Sequence, residues 1–423
     1  MRHVLFIAFH FPPEASSSGV LRTLKHARYL VGYGWRVTVI TPRTDAYAVT
    51  DPQLERQIPA NATVIRTRWL NTRQHFALFG VYPALLALPD SWVGWLPWAV
   101  AAGGRVIASD RPDMIYSTSP HATAHLIALL LARRSDIPWV ADFRDPWFED
   151  LPEPGAPAGR LYRNLNRGLE RQVVERCNHV VTTTTYLRDS LCKRYTSVPA
   201  MKMTAIPNGY DEADFADFTP SPKDHFERLL VVHAGSINSE FRDPRPLFRS
   251  LRTLIDNGTI DRNRVMLRFI GGGEFARSEA IRTSLSQNDL SAQVEFVDRM
   301  SYVTALQELG RADLLLLLQA SADTVDLIPA KVYEYLRAEK PILALVYPGA
   351  TSELLGTVGG GWPVDPRDAA ALENSLAIAY NAWLSNSLVA YSARPEAVRQ
   401  FDRKALAGEL ANLFDRLCTS QSR

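Results

Sequence analysis

Cysteine is scarce in this sequence: Cys177, Cys192 and Cys418 are the whole supply in 423 residues, far apart and without a close Cys or His companion. That spacing excludes a disulfide framework and a Cys/His zinc site, and it suits a reducing compartment, so the expected location is the cytoplasm. Neither sign of charge dominates, because 47 basic side chains stand against 45 acidic ones for a formal net charge of +2. A dedicated nucleic-acid binder carries a basic excess, and that class is set aside. Long unbroken apolar runs are missing too. The opening "MRHVLFIAFH" meets Pro12, Pro13 and Glu14 too soon for a signal peptide, and residues 81–102 are broken by Pro83, Pro89, Asp90 and Pro97. A bilayer-spanning helix needs about 20 consecutive apolar residues.

What is present is the composition of a soluble globular chain, 46% hydrophobic and 22% charged, and too long for one ordinary core. Short β-rich runs at residues 4–9, 36–40, 63–67, 114–117, 139–142, 179–182 and 203–206 alternate with amphipathic stretches, of which 20–30 has its apolar residues at helical spacing. After the turn signal "PNGYD" and the polar segment 217–223, read as the linker, the alternation restarts at 229–234, 265–270, 294–297, 312–318 and 341–346. Strand–helix alternation predicts parallel sheets covered on both faces. The expected fold class is therefore α/β, two tandem Rossmann-like doubly wound domains facing across a cleft: residues 1–215, residues 226–395, and a carboxyl-terminal helix in 396–423 packing back on the first domain. Ligands of such sheets bind beyond the carboxyl ends of the strands.

One such strand end carries "DLIPAKVYEYL", residues 326–336. Pro329 suits the first helical position, where the free backbone amides make an anion site. Lys331 adds a full positive charge one turn in. Glu334 offers a carboxylate that can grip a vicinal diol, and Asp326 can hold another hydroxyl. The bland alternative is a solvated Lys331–Glu334 pair with Asp326 as a cap. His10 and His121 also follow strands, where a histidine is either structural or cleft-facing.

"DLIPAKVYEYLRAEKPIL" resembles the donor-binding segment of retaining glycosyltransferases of family 4, whose signature is an acid, seven residues and then a glutamate; here the pair is Asp326 and Glu334, with aspartate one methylene shorter than the usual first residue. "FHFPPEASSSGVLRTLKHARYLVGYGWRVTVIT" is similar to the family's opening strand, loop, helix and second strand, with Ser18-Gly19 where relatives often pair glycines. "RPDMIYSTSP" and "IPWVADFRDPW" look like segments of its polysaccharide-assembling branch. The resemblance spans nearly the whole chain and implies the GT-B architecture, with an acceptor-side first domain and a donor-binding second domain. It implies Arg242, Lys331 and Asp326 as catalytic residues, the first two clamping the donor diphosphate. It further implies donor contacts from Glu334, Gly235, Ser236, Pro329 and Ala330, and from the backbone around Arg299 and Met300 for the nucleobase. On the acceptor side it implies Gly19, His121, Arg144 and Asp145. Arg144 stands where many relatives have histidine, and arginine cannot serve as a base. The chain has no D-x-D triplet, the usual mark of metal-held nucleotide sugars, so neither a metal nor another cofactor is expected beyond the nucleotide sugar as co-substrate.

Two stretches bear on the acceptor. Arg160, Arg163, Arg167 and Arg171 form a stripe read as lying opposite Leu161, Leu165, Leu169 and Val173; it is either a solvated face or a contact with an anionic membrane surface. "ALFGVYPALLALPDSWVGWLPWAV" gathers three tryptophans as either an acceptor-contacting lid or packed core. The expected activity is metal-independent retaining transfer from a nucleotide-diphosphate sugar to a saccharide or lipid-linked saccharide in cell-surface polysaccharide biosynthesis, in the cytoplasm or at the inner face of the plasma membrane. The alternatives are a nucleotide-sugar epimerase of the same fold, which converts donor with no acceptor present, and a catalytically silent scaffold, which binds no nucleotide.

Overall fold

A computed structural model of the chain describes residues 1–16, 19–76, 82, 84–147, 159–216, 218 and 227–421. The chain forms two units, Met1–Asn208 with Arg403–Arg423, and Gly209–Asp402.

In the first unit β1 (Arg2–Ala8), β2 (Trp35–Pro42), β3 (Thr63–Thr67), β4 (Met114–Thr118), β5 (Trp139–Phe143), β6 (His179–Thr182) and β7 (Met203–Ala205) make a parallel sheet in the order β3-β2-β1-β4-β5-β6-β7. The strands alternate side chains between two buried faces, as period-2 geometry requires. Leu5 and Ile7 of β1 enter one core, and Val4, Phe6 and Ala8 enter the other. Helices α1 (Gly19–Leu30), α2 (Leu96–Ser109), α3 (Thr123–Ser135) and α4 (Arg160–Arg176) belong to this unit. So does the carboxyl-terminal helix, Arg403–Gln421, which packs beside α1 and buries Leu406, Leu410 and Phe414. The Phe414 ring lies 5.3 Å from that of Trp35 and 5.9 Å from that of Tyr116.

The second unit is a parallel sheet of β8 (Leu229–Ala234), β9 (Val265–Ile270), β10 (Val294–Val297), β11 (Leu314–Gln319), β12 (Ile342–Val346) and β13 (Gly361–Val364), ordered β10-β9-β8-β11-β12-β13. The leucine run of β11 divides between both cores, with Leu314, Leu316 and Leu318 on one side and Leu315 and Leu317 on the other. Helices α5 (Arg245–Asp256), α6 (Tyr302–Arg311), α7 (Ala330–Arg337) and α8 (Ala350–Val358) complete the part that matters for the site. Strand order reverses between β1 and β4 in the first sheet and between β8 and β11 in the second. These switch points open a crevice outside the strand ends.

The structure differs from the sequence reading in several places. The units divide at Asn208 and Asp402, not at residues 215 and 395, because Tyr210, Phe215, Val398 and Phe401 all sit in a core of the second unit. Strand β13 was not foreseen. Pro329 precedes α7 as its N-cap, with φ −60° and ψ 139°, so the helix starts at Ala330. On the linker, only Phe218 of residues 217–223 lies among the described residues. All three cysteines are free. Among the described residues no helix is long and apolar enough to cross a membrane.

Candidate functional site

In the second unit, the loops after β8 and β11 meet at the switch point. Gly235 follows β8 with φ +127°, a conformation glycine adopts without strain, and a Cβ there would collide with Lys331 Nζ. That ammonium donates to the Ala234 carbonyl at 2.6 Å, so it lies against the bare backbone of the β8 loop. Tyr335, one turn further along α7, accepts from the Ala234 amide at 2.9 Å and fixes the same loop from below.

Arg242 enters from the far side of the β8 loop. Asn238 Oδ1 accepts from the amides of Glu240, Phe241 and Arg242, closing a tight turn. The Arg242 guanidinium lies 4.8 Å from the Phe241 ring centre and donates to Ser236 Oγ at 2.7 Å. Two cations therefore converge on exposed Ser236 and its glycine neighbour. Desolvation draws the Lys331 ammonium down to about 7, and Arg242 pushes the same way while Glu334 opposes. Behind them His233 is held neutral, at about 3, by burial and then by Lys331.

Glu334 is half-buried one turn after Lys331, and Tyr302 at the start of α6 donates to its Oε1 at 2.8 Å. Asp326 is half-buried on a loop that Gln319 and Thr351 pin in place. Gln319 Nε2 donates to the carbonyls of Thr324 and Leu327, and Thr351 Oγ1 donates to Gln319 Oε1 and to the Leu327 carbonyl. Arg299 and Met300 follow β10, where the Arg299 Cα comes within 3.8 Å of the Cβ position of Gly271 in the β9 loop. Thus the structure brings together Gly235, Ser236, Arg242, Lys331 and the start of α7, with Glu334 on the same helix. Asp326 and the Arg299–Met300 pair stand on the neighbouring loops. Tyr302, Asn238, Gln319 and Thr351, which shape the site, were not singled out in the sequence; only the short polar turn "INSEF" signalled Asn238.

The first unit has its own switch-point loops. Asp142 lies inside β5, wholly buried, and Arg22 of α1 meets it with Nε and Nη2 at 3.0 and 2.8 Å. Tyr116 and Thr118 donate to its Oδ2 at 2.6 and 2.8 Å. Burial raises the carboxyl, but Arg22 more than offsets it and holds Asp142 well below the usual carboxylate range. This is a buried structural bridge inside the sheet. Arg144 is buried as well, and its guanidinium covers Gly19, whose Cβ position it occupies. The missing side chain at Gly19 therefore accommodates the Arg144 guanidinium. Asp145 and His121 are half-buried at the strand ends.

Two further readings are corrected. Leu161 and Leu165 do not oppose the arginine stripe: they are 63% and 40% exposed, beside it on the outer surface of α4. The buried side of α4 joins Val173 and Val174 to two polar groups, Asn166 accepting from Trp147 Nε1 at 2.7 Å and Glu170 accepting from Arg194 and Tyr195 at 2.8 and 2.6 Å. Of the tryptophan-rich stretch, residues 77–81 and 83 lie outside the described residues. Trp95 is wholly buried with its Nε1 on Thr67 Oγ1 at 2.7 Å, and Trp92 is half-buried against Phe9.

Residues 20–214 match the model of Glycosyltransferase Family 4. The chain carries a Glycosyltransferase Family 4 domain. That match lies almost wholly within the first unit, so the Lys331 site lies outside it. No curated protein sequence matches the chain. Among solved structures, a glycosyltransferase from Rickettsia africae superposes with a TM-score of 0.68 at 14% identity, over 98% of each chain. Anabaena HepE, solved in complex with UDP and glucose, superposes at 0.67 and 16% identity, over 98% of this chain and 100% of its own. The lipopolysaccharide outer core galactosyltransferase WaaB superposes at 0.60 and 12% identity, over 98% and 99%. At these identities the likeness is one of fold, and it extends over both units of the chain.

Proposed function

We propose that this glycosyltransferase moves a sugar from a nucleotide-diphosphate sugar to a saccharide or lipid-linked saccharide acceptor, with retention and without a metal ion, in cell-surface polysaccharide assembly. The observation that carries the reading is the convergence of Lys331 and Arg242 on the backbone at Gly235 and Ser236. Two cations beside a loop with no side chain at Gly235 match a diphosphate in charge, and they stabilise the charge that grows on it as it leaves. The amides at Ala330 and Lys331, just after Pro329, add the partial positive end of α7. Glu334 takes the ribose diol and Asp326 a hydroxyl of the transferred sugar. The backbone at Arg299 and Met300 lies along the base, and Arg144, Asp145 and His121 belong to the acceptor side.

In a retaining transfer of this kind the acceptor oxygen bonds to the anomeric carbon on the face from which the diphosphate departs. Its proton passes to the departing diphosphate oxygen, and no protein nucleophile is needed. The protein's contribution is positioning and charge. HepE was solved with UDP and glucose, which makes UDP-sugars the first donors to try. Arg160, Arg163, Arg167 and Arg171, with exposed Leu161 and Leu165, support docking on an anionic membrane surface, where a lipid-linked acceptor resides.

The test begins with thermal-shift screening against UDP, GDP, dTDP and ADP and their sugars, since a ligand of the folded state raises its melting temperature. For the nucleotide that stabilises, Glu334→Ala should weaken binding by roughly 10- to 100-fold, the worth of charge-assisted hydrogen bonds of about 1.5–3 kcal/mol. Lys331→Ala should chiefly slow transfer. Normal affinity and turnover in both variants would sink this assignment.

A further inference from the structure

In the second unit a hydroxyl on one helix holds a carboxylate on another. Tyr302 opens α6 directly after the β10 loop that carries Arg299 and Met300, and Glu334 stands on α7. The Tyr302 phenol donates to Glu334 Oε1 at 2.8 Å. Both partners are mounted on fixed supports. Leu306 and Leu309 of α6 share a buried core with Val332 and Leu336 of α7, and the Tyr302 ring packs against that core. Ser301 caps α6, its Oγ accepting from the Thr304 amide at 3.2 Å, so the phenol leaves from an anchored first turn. The start of the β10 loop is tied to the β9 loop, Gly271 N donating to the Val297 carbonyl at 2.9 Å.

Glutamate is among the side chains that lose most rotamer freedom when held in one geometry. A glutamate that found its pose anew with each ligand would give up that freedom on binding and weaken the complex. Tyr302 removes much of that loss in advance, because a ring packed on the core sets the plane of the carboxylate before a ligand arrives. A carboxylate offers about four acceptor sites, and the phenol uses one. The placement of Tyr302 adds a second consequence. It follows Met300 by two residues, while Glu334 follows Lys331 by three on α7. The phenol therefore registers the loop assigned to the base against the helix assigned to the ribose and the diphosphate.

We propose that Tyr302 is a positioning residue that aims the Glu334 carboxylate at the ribose diol, and that this pair makes the site select ribonucleoside diphosphates over their deoxy forms. Glu334 touches the nucleotide, and Tyr302 acts through it. The inference rests on the reading of Glu334 as the ribose contact and adds the residue that gives this contact its selectivity. A bond that only tied α6 to α7 would support the fold and be indifferent to the hydroxyls of the ligand.

The test is calorimetric titration of the full chain with UDP, GDP and ADP, each against its 2′,3′-dideoxy form. For the nucleotide that binds, the wild-type chain should prefer the ribose form at least tenfold. Tyr302→Phe removes one oxygen and leaves the ring in the core. It should weaken the ribose form about tenfold, the worth of one hydrogen bond, and leave the dideoxy form within twofold. Glu334→Ala should level the two forms, and adding Tyr302→Phe to it should change neither, since the phenol then has no carboxylate to aim. An unchanged preference in Tyr302→Phe, equal losses for both forms, or the same loss with Glu334 already removed each overturns the positioning role. Equal binding of ribose and dideoxy forms by the wild-type chain instead overturns Glu334 as the ribose contact. Binding of no nucleotide at all overturns the donor reading itself, so the three failures are distinct.

Discussion

A lysine ammonium at about 7 is half discharged near neutrality, and a bound diphosphate would restore its proton. Binding must then take up a proton wherever the free site has lost one. Nucleotide-diphosphate affinity should be flat below pH 7 and fall by up to about tenfold per pH unit above it. Calorimetry between pH 6 and 9, repeated in buffers of different ionisation heat, reads the proton uptake directly, and Lys331→Met should abolish it. A pH-independent affinity would show that Lys331 does not meet the diphosphate. At the same scale, the Arg22–Asp142 bridge is buried on both sides. Arg22→Met leaves a carboxylate uncompensated and should cost about 3–5 kcal/mol, whereas adding Asp142→Leu should recover much of that. Because the folded state lowers the Asp142 pKa, the bridge's stabilisation is present above the ordinary carboxylate value and fades as pH falls through the native one. Urea unfolding of the single and double variants at neutral and acid pH decides it.

Helix α4 shows how an element can defeat a pattern. Its arginine stripe and buried Val173 were legible, but the amino-terminal part of the buried face is set by Asn166 and Glu170, whose partners Trp147, Arg194 and Tyr195 are supplied by other elements. Periodicity alone had no means of finding them, so Leu161 and Leu165 were placed on the wrong side. Their exposure beside the arginines joins apolar area to positive charge, the combination that holds a helix at an interface. Leu161→Ser with Leu165→Ser, and separately Arg167→Glu with Arg171→Glu, should each lower sedimentation with phosphatidylglycerol vesicles several-fold. Unaltered sedimentation in both pairs would mean the face is merely solvated. The strands were easier: runs such as "LLVVHA" and "LLLLLQ" are buried on both faces and announce themselves. Strand β13 hid because residues 359–361 are all glycine and Pro363 sits within it, a pattern tolerated only at a sheet edge, where β13 lies. In the same way Asp326, Lys331 and Glu334 could be read from one helix and its approach. The tyrosine on Glu334 and the asparagine turn that aims Arg242 depend on loops from other strands.

At the scale of the molecule, the second unit is an insertion: the chain leaves the first unit at Asn208 and rejoins it at Arg403. Its two ends are joined, Tyr210 N donating to the Phe401 carbonyl at 3.1 Å. Ending the chain at Asp402 removes Leu406, Leu410, Leu413 and Phe414 from the first unit's core, each worth roughly 1.5–3 kcal/mol. That sum approaches the whole stability of an ordinary domain. Residues 1–402 should therefore lose the first unit's cooperative melting while keeping the second unit's transition and its nucleotide affinity. Two intact transitions in calorimetry would contradict this. The same insertion sets an order of events on the ribosome. A domain made first usually folds first, but here the first sheet waits, with the surface that Phe414 will cover still open, until the final residues emerge. The inserted unit, complete about 20 residues earlier, can finish before the unit that surrounds it in sequence.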